Sequence, residues 1–123
     1  MRSIIQLHLQ YRLWISDLNA DINTLRIFDD YLIELKAKGL KEDVSKKLDN
    51  YNKQFINLRT ELDELRHEMH LTKMKLGAIT KTNELENNIE EAINFKADKE
   101  KYKAFRKKFS ALKKEFKKMK VED

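Results

Sequence analysis

Neither cysteine nor proline occurs in this 123-residue chain, and glycine occurs twice. The missing cysteine excludes disulfides, thiolate-bound zinc and a cysteine nucleophile. With no proline and only Gly39 and Gly77 as glycines, turn formers are too scarce for an all-β or α/β fold. No apolar run approaches membrane-span length, and residues 1–9 have neither the apolar stretch nor the small-residue site of a secretory signal. The expectation is a cytoplasmic protein. No glycine-rich phosphate loop, nucleophile elbow or paired Cys/His arrangement occurs either. Catalytic residues, cofactors and bound metals are therefore not expected, and the chain reads as a non-enzyme.

What the chain does have is charge, 38% of its residues, and helical periodicity. Apolar residues alternate spacings of three and four from Ile4 through Leu7, Tyr11, Trp14, Leu18, Leu25, Phe28 and Leu32 to Leu35, with Asp21 as the one polar member. A second stripe runs from Val44 through Leu48, Tyr51, Phe55, Leu58, Leu62, Leu65 and Met69 to Leu76, interrupted by Thr72. A third begins at Leu85, Ile89, Ala92 and Phe95, slips by one step in a local overwinding, lapses around Asp98, and resumes at Tyr102, Phe105, Phe109, Leu112, Phe116 and Met119. Gly39 after Lys36-Ala37-Lys38 suits a left-handed terminator behind a cationic last turn. Gly77 suits the same role, although Ala78 and Ile79 can extend the second helix past it, and Thr82 suits an amino-terminal cap.

The spacing predicts a single all-α domain over 1–123, with helices at about 3–38, 41–77 and 82–119. Short turns make successive helices antiparallel. An up-down-up antiparallel three-helix bundle with long coiled-coil-like helices follows, each helix roughly 55 Å long. Core partners are expected at Leu35/Val44, Phe28/Tyr51 and Trp14/Leu65 across the first turn. Phe55/Phe105, Tyr51/Phe109 and Val44/Phe116 are expected across the second.

Several side chains are site candidates. The segment 63–70 holds Glu64-x-x-His67, the spacing of bundle-type di-iron ligands, with His70 beside it. Heptad phase turns Glu64, His67 and His70 away from the core, and His8, the remaining histidine, has Ile5 three residues before it. No metal site is predicted. Asp21 falls on the core stripe, so a polar core layer of Asp21, Tyr102 and Lys99 is expected, with Asp21 taking a hydrogen bond from Tyr102 or a salt bridge from Lys99.

Residues 96–120 hold twelve Lys and Arg against three acidic residues. Lys107, Lys108, Lys113, Lys114, Lys117 and Lys118 form a candidate basic patch there. Bundle topology would add Lys36, Lys38, Lys41, Lys46 and Lys47 at the same pole. Such a surface attracts nucleic-acid phosphate non-specifically, although the aromatics lie on the core stripe and offer no stacking platform. Ile5, Leu9, Leu71 and Met74 lie off the seam and are a candidate self-association patch.

Trp14 with Asp17-Leu18-Asn19 and Ile27-Phe28, then Asn52-Lys53-Gln54-Phe55-Ile56, Asp63-Glu64-Leu65-Arg66-His67 and the run from Phe105 to Met119 resemble a family of short, uncharacterised, all-helical bacterial proteins of unknown function. The resemblance implies a three-helix fold and brings no activity, cofactor or functional residue with it. The expected function is a helical-bundle interaction or scaffold module that recognises a protein partner or itself, without a membrane. Weak polyanion binding by the basic pole is the alternative.

Overall fold

A computed structural model describes residues 3–82 and 89–119, and among these every regular element is helical. The helices are α1 (Ile4–Ala37), α2 (Glu42–Thr82), the single turn α3 (Ile89–Ala92) and α4 (Phe95–Lys118). Leu85 lies outside the described residues, while Thr82, the expected amino-terminal cap of the third helix, is instead the last residue of α2.

A reciprocal capping box opens α1. The Ser3 hydroxyl accepts from the Gln6 amide at 3.1 Å, and the Gln6 side chain accepts from the Ser3 amide at 2.9 Å, so two amides without intrahelical partners are satisfied. Gly39 closes α1 at φ +64°, a left-handed conformation that its missing Cβ makes cheap.

Gly77 behaves differently from the expected terminator. α2 runs straight through it to Thr82. A glycine inside a helix costs only about 1 kcal/mol, and continuing carries buried Leu76 on to half-buried Ile79. A Cβ on Gly77 would lie 3.6 Å from His8 Nε2, an ordinary contact, so the neighbouring ring does not require the glycine. Gly77→Ala should therefore stabilise the protein by about 0.5–1 kcal/mol through helix propensity, whereas Gly39→Ala should destabilise it by about 1 kcal/mol through left-handed strain. Thermal melts of the two variants read the difference; a fall in Tm for Gly77→Ala would mean that the helix does end there.

The expected overwinding between Ala92 and Phe95 is a break. Asn94 takes φ 57°, ψ 41°, which asparagine tolerates better than most residues. Ile93 and Phe95 are both buried while Ala92 is exposed. In a straight helix, positions two apart point about 200° away from each other, so the break is what lets both side chains enter the core. Nor does the stripe lapse afterwards: Asp98 continues it at core spacing and is buried.

α1 and α2 pack together in opposite directions, as Asn19–Arg66, Phe28–Phe55 and Lys36–Asp49 show. α4 lies against both. It meets α2 at Glu68–Lys101, Glu61–Lys108 and Tyr51–Glu115, and α1 at Tyr11–Asp98, Asp17–Tyr102 and Phe28–Phe116.

These pairs differ from the expected register. Phe28 meets Phe55 rather than Tyr51, because each side chain leans toward its own helix amino terminus and reaches a partner about one turn later. The shift is larger for α4: Phe116 packs on Phe28, Tyr31, Tyr51 and Phe55 rather than Val44. The physical cause is the longer α2, which moves the chain reversal beyond the expected turn and slides α4 along its neighbours.

Candidate functional site

The slide decides where polar side chains meet. Asp21 is buried at 5% exposure, and its partner is the Arg106 guanidinium, one turn beyond the expected Tyr102. Tyr102 donates its hydroxyl to Asp17 at 2.5 Å. Lys99 is half-buried and makes no ion pair among the described residues. The layer expected from Asp21, Tyr102 and Lys99 is thus a ladder of three rungs between α1 and α4: Tyr11–Asp98, Asp17–Tyr102 and Asp21–Arg106.

Burial raises the carboxyl pKa of Asp21, with Arg106 and Lys113 opposing it and the nearby Asp17 charge adding to it. Asp98, missed from the sequence, is the second buried carboxylate; it accepts the Tyr11 hydroxyl at 2.6 Å. Desolvation raises its pKa too, against the Tyr11 hydrogen bond and the Lys101 charge. Tyr11 and Tyr102 are pushed upward by burial and by their carboxylate acceptors. Two aspartates with raised pKa values could serve acid–base chemistry, but each faces a packed neighbour. Trp14 stacks on Phe95 at 5.5 Å and on Tyr102 at 5.3 Å, filling the space between the upper rungs. The ladder ties α1 to α4.

His67 and His70 are exposed and flank an open groove between α1 and α2, lined also by Ile15, Asn19, Asp63, Arg66 and Lys73. Glu64 is exposed on the same helix. Arg66 spans the groove to Asn19 at 3.0 Å. Among the described residues, no three His, Cys, Asp or Glu side chains come together to hold an ion.

The basic residues divide between two places. Near the α1–α2 turn, Lys36 is paired with Asp49 at 2.9 Å and Lys46 with Glu42 at 3.6 Å. Because Phe116 lies level with Phe28 and Tyr31, α4 ends short of that turn, so the expected common pole is broken up. The second place is the outward face of α4. Lys96, Lys103, Lys107, Lys114, Lys117 and Lys118 are exposed there and form no ion pair among the described residues, whereas Lys108, also exposed, pairs with Glu61 of α2 at 3.2 Å and Lys113 is half-buried. The stripe extends for about 33 Å at 1.5 Å per residue, with Glu100 as its one acidic intruder.

Ile5, Leu9, Leu71 and Met74 are all exposed. The first two belong to a longer feature that includes Leu13, Ser16, Ala20, Asn23, Ile27 and Tyr31. At spacings of three and four, these form a second stripe along α1, turned away from the core and free of charge over its whole length. Its aliphatic members are half to two-thirds exposed, Ile5 at 69% and Ile27 at 65%. The signal was in the sequence, as the same three-four spacing displaced by two residues from the core stripe.

Among the described residues no helix is long and apolar enough to cross a membrane. No family model, curated protein or solved structure matches the chain.

Proposed function

We propose that this protein is an up-down-up three-helix bundle, its third arm broken at Asn94, that works in the cytoplasm as a non-enzymatic interaction module. The opposed run of α1 against α2, with α4 laid along both and parallel to α1, supports the bundle. The observation that carries the interaction reading is the uncharged outer face of α1. In a chain with 38% charged residues, a helix facing solvent is expected to be polar. Uncharged small and aliphatic side chains at coiled-coil spacing fit a partner helix instead.

Capture from the source cell tests this. Wild-type protein should retain a partner that Leu13→Glu and Ile27→Glu release, with thermal stability changed by less than about 0.5 kcal/mol, as for surface substitutions. Retention unaffected by both variants would refute the reading.

A second reading, polyanion binding, is favoured by the lysine face of α4. Exposed lysines spaced along about 33 Å can follow a phosphate backbone without reading bases. Titration against mixed-sequence duplex DNA at two salt concentrations should show affinity falling steeply with salt. Changing Lys103, Lys107 and Lys114 to Glu should flatten the logarithmic slope by about 3. A slope that does not move excludes this face.

A further inference from the structure

We infer that the partner of the α1 outer face is a second copy of this chain, docked α1 against α1 in opposite directions about a two-fold axis at Ala20. The inference rests on the interaction reading and names its partner.

The stripe is self-complementary in that arrangement. With Ala20 facing its own symmetry mate, Leu13 faces Ile27 and Leu9 faces Tyr31, while Ser16 meets half-buried Thr24 at the edge of the stripe and Asn23 meets Asp17. Small residues sit at the centre, where two helix axes can approach closely, and large apolar ones sit on both sides, as an isologous contact requires. Charge complements the shape. Arg12 and Asp30 lie on the same flank of the stripe, and neither forms an ion pair among the described residues. Within the fold, flanking polar pairs between α1 and α2 such as Asn19–Arg66 and Lys36–Asp49 fall two residues beyond the ring pair Phe28–Phe55. The same offset applied to Leu13/Ile27 brings Arg12 to Asp30 of the second copy, and symmetry makes the pair twice. A parallel arrangement would put Arg12 of the two copies on opposite flanks and leave Asp30 about 27 Å along the helix from it, so neither charge would be paired. Covering both stripes removes on the order of 1,000 Å² from water, the lower end for a specific interface, so a reversible dimer is expected.

The missing cysteine makes the test direct, because any introduced cysteine is unique. Ala20→Cys and Ile5→Cys are both solvent-facing substitutions. Sedimentation equilibrium of the full chain should show a dimer. Spin labels at Ala20→Cys should then lie within about 20 Å of each other, while labels at Ile5→Cys should lie about 45 Å apart, thirty residues of helix rise. Arg12→Glu and Asp30→Arg should each weaken the dimer at least threefold, and the double swap should restore it. A monomer at about 0.5 mM, where even a weak dimer is populated, would overturn the inference. So would short distances at both labels, or a dissociation constant indifferent to the charge swaps. A monomer would still leave the broader interaction reading to the capture experiment with Leu13→Glu, so the two fail separately.

Discussion

Phe116→Ala is expected to lower stability by about 3–5 kcal/mol, the range for removing a fully packed aromatic. Phe116 is 4% exposed and is the side chain on which all three long helices converge. Its ring lies 4.9 Å from Phe28, 5.1 Å from Tyr51 and 4.9 Å from Phe55, with Tyr31 at 5.9 Å. The loss would combine buried area with several edge-on ring contacts, each worth about 0.5–1.5 kcal/mol beyond area. It should also be local in its first effect. Beyond Phe116, half-buried Met119 is the one further apolar side chain among the described residues to pack on the core, so Met119→Ala should cost under about 1 kcal/mol. Hydrogen exchange in Phe116→Ala should accelerate through the last turns of α4 before it does around Leu35 and Leu48, which stay buried between α1 and α2. Equal acceleration in both places would contradict an α4 latched by this one ring.

The same residue shows how far the sequence could be read. That Phe116 is core follows from its spacing to Phe109 and Leu112, and so do nearly all the buried positions of α1 and α2. Periodicity reports which face of a helix is apolar, independent of where the helix stops. Register does depend on the stop. Gly77 is ambiguous in the sequence because glycine favours a helix end yet is tolerated inside a helix at about 1 kcal/mol, and only the backbone, which continues as helix to Thr82, separates the two. Ending α2 at Gly77 placed Phe116 opposite Val44 and Asp21 opposite Tyr102; running on to Thr82 places them against Phe28 and Arg106. Asp98 was missed for another reason. It lies at core spacing ahead of Tyr102 and Phe105, but a carboxylate on an apolar stripe reads as a gap until a donor is found. The donor, Tyr11, lies 87 residues away.

Arg106→Met should destabilise the protein by about 2–3 kcal/mol near neutral pH. The figure lies below the usual cost of stripping one partner from a buried pair because the Arg106 side chain is 38% exposed and the pair is partly screened. Asp21 bears the damage, since its carboxylate remains buried with its main counter-charge gone. The pH dependence identifies that mechanism. Burial already raises the folded-state pKa of Asp21 above the unfolded value, and losing Arg106 raises it further. Between the unfolded and folded values the native state binds more protons than the unfolded chain, so stability falls as pH rises through the folded pKa. The deficit of Arg106→Met relative to wild type should therefore shrink from pH 7 toward pH 5, as Asp21 takes up a proton and no longer needs a cation. Adding Asp21→Asn to Arg106→Met should recover most of the loss at pH 7 and remove the difference between the two pH values. Urea denaturation of the four proteins in that cycle, at both pH values, measures all of this. A deficit constant with pH would assign the role of Arg106 to packing against Tyr102 and Phe109, whose ring centres each lie 5.8 Å from the guanidinium, rather than to Asp21.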